Sequence, residues 1–266
     1  MKLKEPFLFR AGGVFNLNIL ITLNANYIKP LKVMLKSLFM NNKNEYFDIY
    51  LMHTSLKVEE LENLGAYISG HQNRLFIVKM DDRCFQGAPV LFHYTKEMYF
   101  RLLAYKFLPG NLDRILYLDP DILVLNPIRK LYESELGNCL YGAAYHDKIS
   151  VKEINKLRLF PYEIDAYYNS GVLLMNLVQL RIRADEMEIY RFVQENRSKL
   201  IMPDQDILNA LYSKQIKNID EKLYNYDARY YSYYKLTSNW VCDMEYIINS
   251  TGILDFCGKR QPWDNQ

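Results

Sequence analysis

The sequence lacks the marks of several protein classes. Its four cysteines, Cys84, Cys139, Cys242 and Cys257, form no C-x-x-C pair. Thiols scattered this way argue against a zinc ribbon and a disulfide framework, and they fit a reducing cytosol. No apolar run reaches the roughly 18 residues of a membrane helix, although a peripheral membrane contact stays open. Neither charge sign dominates, with 33 Lys and Arg against 31 Asp and Glu. Nothing therefore favours nucleic acid or another polyanion as partner. There is no G-x-G-x-x-G and no G-x-x-x-x-G-K-[ST], so the dinucleotide fingerprint and the P-loop are both missing. Internal repeats and low-complexity linkers are missing too.

What is present is apolar and aromatic. Half of the 266 residues are apolar and 23 are tyrosine, enough to bury a sizeable core. Residues 1–17 read as a leader with little pattern, and 18–266 as a single domain. Asn18–Leu23 is an apolar strand running into a polar turn, Asn24–Tyr27. Pro30 opens a helix whose apolar face is Leu31, Met34, Leu35, Leu38 and Phe39, at helical spacing. Asp48–Met52 is the next strand, and Thr54 or Ser55 caps a helix with Glu59 and Glu60 in its first turn, as the helix dipole prefers. A strand at Arg74–Lys79 and a helix from Thr95 to Leu108 follow. With Ile115–Leu118 the order becomes β-α-β-α-β-α-β, which predicts a parallel sheet covered by helices. Beyond it come strands at Leu140–Tyr145, Val172–Met175 and Ile216–Ile219, and helices at Ala184–Lys199 and Ile207–Tyr212. Six tyrosines crowd residues 224–234; they suit an acceptor groove or a packed aromatic patch equally.

The strand Ile115–Leu118 stops at Asp119-Pro120-Asp121. In extended chain, residues two apart point to the same side, so both carboxylates can converge. Like charges held together need a cation between them, and a hard divalent ion with oxygen ligands suits. A polar turn capping the strand is the plain alternative. Further polar groups stand where strands end or helices begin: Asn24, Asn26, Asp147, Asn169, Asp204, Gln205 and Asp255. In a parallel sheet many of these gather at one edge, where ligands bind. Carboxylates around a metal suit a diphosphate, and amide side chains suit sugar hydroxyls. Arg101 sits among apolar neighbours. Taken alone, it reads as a surface arginine with its stem on the core.

Several segments together, Arg101, Arg114–Val124, Tyr168–Asn176, Pro203–Asn209 and Cys257–Trp263, resemble glycosyltransferase family 8. The likeness is to its bacterial lipopolysaccharide galactosyl- and glucosyltransferases, with glycogenin a more distant relative, and it spans nearly the whole chain. It implies an α/β GT-A fold, a Rossmann-like nucleotide-binding mixed sheet flanked by helices. It also implies Mn²⁺ or Mg²⁺, a UDP-hexose donor, and transfer with retention to a glycan or glycolipid acceptor. By the resemblance, Asp119 and Asp121 hold the metal on the diphosphate. Asp255 is the third ligand, standing where the family has histidine. Thr22, Asn24, Asn26, Arg101, Leu118, Pro120, Asn169, Ser170, Gly258, Arg260 and Gln261 join the two aspartates around the donor. Gln261 replaces a phosphate-binding lysine of the family. His93 and Cys257 fall on the acceptor side. Gln205, Asp204 and Asp147 surround the reacting sugar.

Gln205 is a poor nucleophile, which favours direct same-face attack by the acceptor hydroxyl; Asp147 keeps a covalent route open. The implied setting is the cytoplasm, including the inner face of the membrane. A non-catalytic nucleotide-sugar binder and a metal-dependent nucleotidyl- or phosphotransferase are the alternatives.

Overall fold

The structure is a computed structural model that describes residues 16–81, 83–89, 96–145 and 149–256. The chain opens with β1 (Leu17–Thr22), α1 (Ile28–Asn41), β2 (Phe47–His53), α2 (Val58–Gly70), β3 (Arg74–Lys79), α3 (Glu97–Phe107) and β4 (Arg114–Leu118). Next come β5 (Ile122–Val124), α4 (Arg129–Tyr132), β6 (Tyr141–Ala143), α5 (Ile149–Arg158), β7 (Val172–Asn176) and α6 (Leu177–Arg183). They are followed by α7 (Glu186–Asn196), α8 (Pro203–Tyr212), β8 (Ile216–Asn218), α9 (Glu221–Tyr224), β9 (Tyr226–Asp227), α10 (Tyr231–Thr237), α11 (Met244–Ser250) and β10 (Ile253–Asp255).

A seven-stranded sheet in the order β3-β2-β1-β4-β7-β6-β8 forms the centre. Strands β3, β2, β1 and β4 run parallel, as the β-α alternation predicts. The sheet is mixed, as the family resemblance implies: β7 is antiparallel to both β4 and β6. The reversal places the residues before β7 directly against those after β4. Alternation along the strands divides the core between two faces. Leu20, Tyr50 and Tyr117 pack with α3 and α8, whereas Ile19, Ile49 and Leu116 pack under α1 and α2. Helix α1 buries Leu31, Met34, Leu35, Leu38 and Phe39, the face its spacing predicts.

One expectation needs local correction. Helix α2 starts at Val58, after Thr54 and Ser55. Thr54 caps nothing there; its hydroxyl donates 2.8 Å to the Glu97 carboxylate instead. The apolar run after Asp121 turns away as β5 and enters a second sheet, β5-β10-β9; Pro120 in the intervening turn has a fixed φ and no N–H to donate. The tyrosine-rich segment packs against this small sheet. Tyr226 and Tyr234 are buried with Cys242 and Ile247 in a satellite core, so packing claims much of that segment.

Candidate functional site

The site is assembled where β4 ends. Pairing of Leu118 with Val172 sets the Asp119 turn beside the Asn169-Ser170-Gly171 turn. The Asp119 amide then donates 2.8 Å to the Gly171 carbonyl. A side chain at Gly171 would put Cβ 2.9 Å from Asp119 Oδ2 and 3.0 Å from Asn169 Oδ1. Close approach to the carboxylate thus demands glycine. Asn169 Oδ1 accepts 2.6 Å from the Gly171 amide and rigidifies the turn.

Arg101 ties four elements together. It is buried on α3, and its Nη1 donates 2.7 Å to the Ser170 carbonyl while Nε donates 3.0 Å to the Met98 carbonyl. Nη2 lies 3.0 Å from Asp119 Oδ1, and Nη1 lies 3.5 Å from Asp204 Oδ2. The guanidinium also covers the Tyr117 ring, 4.1 Å from its centroid, in cation–π geometry. Burial pulls this arginine's pKa down, but the charge of Asp119, then Tyr117 and Asp204, outweighs it and holds the pKa above its usual value. A surface position for Arg101 is therefore ruled out.

Asp119 shares in the same contest. Burial lifts its carboxyl above the usual carboxylate range, against the downward pull of Arg101 and of the Tyr117 hydroxyl. Tyr117 donates a short hydrogen bond to Asp119 Oδ1, and its oxygen lies 3.3 Å from Thr22 Oγ1. Thr22 therefore reaches the site through Tyr117. Leu118 is buried in the strand and serves the core.

The third wall is the first turn of α8. Gln205 Oε1 accepts 3.2 Å from the Ser170 amide. Asn209, fully buried, accepts 2.7 Å from the Tyr168 amide and donates 2.8 Å to the Tyr168 carbonyl. The helix and the Asn169 turn are locked in register by that exchange. Asp204 is buried, and its Oδ2 has no hydrogen-bond partner among the described residues, with Arg101 as its ion pair. A buried acceptor left this way is costly, and a hydroxyl entering the site would satisfy it.

The fourth wall is β10. Asp255 pairs with Ile122 across the antiparallel β5–β10 ladder, and the Phe256 amide lies 3.4 Å from the Asp121 carbonyl. The small sheet thus carries Asp255 to the strand that leaves Asp121. Among the described residues, no three His, Cys, Asp or Glu side chains form a ready-made cage. Oxygen donors of this kind suit a hard divalent cation: Asp119 faces Arg101 and Tyr117 through Oδ1, and Asp255 pairs with Ile122, the residue after Asp121. Asn24 and Asn26 stand at the carboxyl end of β1, where Asn24 Oδ1 accepts 3.0 Å from the Asn26 amide and caps a short 3-10 turn. His93, Asp147, Cys257, Gly258, Arg260 and Gln261 lie outside the described residues.

Tyr117, Gly171 and Asn209 are not singled out by the sequence as individual site residues, although all three stand inside segments that carry the resemblance, which is the available signal.

The model of a family described as glycosyl transferase family 8 matches residues 18–266. A lipopolysaccharide 1,2-glucosyltransferase of Escherichia coli is 26% identical over 249 residues, 92% of this chain and 73% of that protein. General stress protein A of Bacillus subtilis is 24% identical, over 90% of this chain and 85% of its own length. Among solved structures, galactosyltransferase LgtC in complex with donor and acceptor sugar analogs superimposes with a TM-score of 0.81 at 22% identity. That match covers 94% of this chain and 90% of the other. At that identity the likeness is one of fold, the GT-A arrangement of a mixed sheet between helices.

Proposed function

The chain belongs to glycosyltransferase family 8, and from that premise we propose that it moves a hexose from UDP to a hydroxyl of a lipopolysaccharide-type glycan or glycolipid. The observation that carries the reading is the Arg101 junction, which binds Asp119 on one side and Asp204, with its unsatisfied Oδ2, on the other. One carboxylate faces the expected diphosphate and the other the expected sugar. The glucosyltransferase named above favours a hexose and such an acceptor.

Asp119, Asp121 and Asp255 would hold Mn²⁺ or Mg²⁺; when bound, the ion offsets the charge that builds on the leaving diphosphate. Asp204 Oδ2 accepts from a sugar hydroxyl. Gln205, fixed by the Ser170 amide, orients the sugar at its anomeric carbon. Asn24 and Asn26, at the end of β1, contact the nucleoside. Transfer proceeds with retention: the acceptor oxygen bonds to the anomeric carbon from the face the diphosphate leaves. The C–O bond to UDP breaks, and the hydroxyl proton passes to the departing phosphate oxygen. No helix among the described residues is long and apolar enough to cross a membrane. The free thiols of Cys84, Cys139 and Cys242 and the nucleotide-sugar donor favour action in the cytoplasm, at the inner membrane face for a glycolipid acceptor.

A panel of UDP-sugars with Mn²⁺, scored for free UDP and for sugar transferred, tests this reading. One UDP-hexose should release UDP and glycosylate an added saccharide acceptor. Pyrophosphate release would mark a nucleotidyltransferase instead, and binding without turnover would mark a non-catalytic binder.

A further inference from the structure

Gln205 is flanked by two aspartates that do opposite things. Asp204 faces the site, whereas Asp206 is completely buried behind it. The Asp206 carboxylate accepts from Arg158 Nη1 at 2.7 Å, Arg158 Nη2, the Tyr167 hydroxyl at 2.5 Å, and the Ile201 and Met202 amides at 2.9 and 3.2 Å. Met202, the residue before α8, gives the helix no side-chain cap. Asp206 therefore caps α8 from inside, reaching back to the amides that precede the helix. The first turn, which carries Asp204 and Gln205, takes its shape from that carboxylate.

Arg158 in turn fixes the carboxylate. It comes from α5, whose described outer residues Ile154 and Leu157 are exposed. The end of this helix is seated by Leu159, buried in a small apolar cluster with Ile164 and Tyr167, and by the polar contacts of Arg158. Arg158 Nη1 also donates 3.1 Å to the Lys199 carbonyl, and Nη2 donates 2.8 Å to Asn155 Oδ1. The fork is planar and two-pronged, so it sets the plane of the carboxylate as well as its charge. A buried ion pair is a weak source of stability compared with apolar packing; here it sets a position.

We propose that Arg158 is a positioning residue of the transfer reaction: through Asp206 it sets the first turn of α8, and with it the aim of Asp204 and Gln205 at the donor sugar. The proposal rests on the transferase reading above. Its test uses the purified full chain and a UDP-hexose that the wild type turns over. In Arg158→Met, kcat should fall on the order of 10²-fold, as for catalytic groups displaced by about 1 Å. UDP affinity, made at the Asp119 end, should hold, while the extra affinity of UDP-hexose over UDP should vanish. Arg158→Lys keeps the charge without the fork and should recover only part of kcat. Arg158→Met combined with Asp206→Asn removes the uncompensated buried charge; it should restore the melting temperature but not kcat. An Arg158→Met protein that keeps both kcat and the sugar increment overturns the proposal. So does a double variant whose kcat returns with its melting temperature, since that is loss of stability alone. Should the wild type turn over no UDP-hexose, the transferase reading falls, and the sugar increment by itself decides whether Arg158 positions Asp204 and Gln205.

Discussion

Two segments of this protein share the pattern Asp-x-Asp, and they use it differently. Asp119-Pro120-Asp121 is the turn at the end of a strand, and it brings Asp119 to Arg101 and the Tyr117 hydroxyl. Asp204-Gln205-Asp206 lies in the first turn of a helix, where two residues turn the direction by about 200°. One carboxylate therefore meets Arg101 and the site, and the other is consumed by Arg158, Tyr167 and two backbone amides. The backbone, not the motif, decides which acids meet ligand. The first segment should be costly to activity when altered; the second should divide its cost between activity and stability.

The largest separation is expected from Asp119→Ala. UDP release with saturating Mn²⁺ should drop on the order of 10³-fold, the scale seen when a preorganised charge is removed from a reaction centre. The fold should survive, because Arg101 keeps the Ser170 and Met98 carbonyls and Asp204. Asp206→Ala should cost both activity and stability. Removing one partner of a buried pair costs about 3–5 kcal/mol, readable as a lowered urea midpoint, and kcat of the folded fraction should fall too, because the first turn of α8 loses the carboxylate that holds the Ile201 and Met202 amides. Equal stability losses in the two variants would erase the contrast.

Asp204→Asn sharpens the inner half of the comparison. The amide keeps the shape but surrenders the charge that faces Arg101, so turnover should fall about 10²-fold, the scale of about 3 kcal/mol of transition-state stabilisation, with UDP affinity unchanged by calorimetry. Gly171→Ala is the mildest. The new Cβ stands 2.9 Å from Asp119 Oδ2, and relief of such overpacking costs about 1–3 kcal/mol. Its melting temperature and its metal-dependent UDP affinity should both decline.

These contrasts also show which parts of the molecule the amino-acid order reveals. Strands β1, β2 and β4 are legible because strands buried on both faces are apolar throughout; Asn18–Leu23 falls within one residue of β1, and Arg74–Lys79 matches the half-buried edge strand β3. Strand β7 is legible as well, at Val172–Met175, but its direction is not, since the run is equally apolar in either direction. Strands β5, β9 and β10 have only two or three residues each, too few for a period to emerge. Helix α5 is hidden for a different reason. Its described inward positions are Asn155, which is buried, and Arg158, which is half-buried, while Ile154 and Leu157 are exposed, so its apolar pattern points away from its contacts. The Asp119 turn, Asn169, Ser170, Asp204 and Gln205 could be named from their place beside apolar runs and from the family likeness. The pairing of Arg158 with Asp206, 48 residues apart, has no local signature and needed the folded chain.

The claim on which the rest depends is that Asp119 and Asp121, with Asp255, hold a divalent ion against the diphosphate. Calorimetric titration of UDP, with Mn²⁺ and with EDTA, into the wild type and Asp121→Ala tests it without relying on turnover. The wild type should bind UDP much more tightly with Mn²⁺, and Asp121→Ala should lose that gain. Equal UDP affinity in Mn²⁺ and EDTA for the wild type would contradict it.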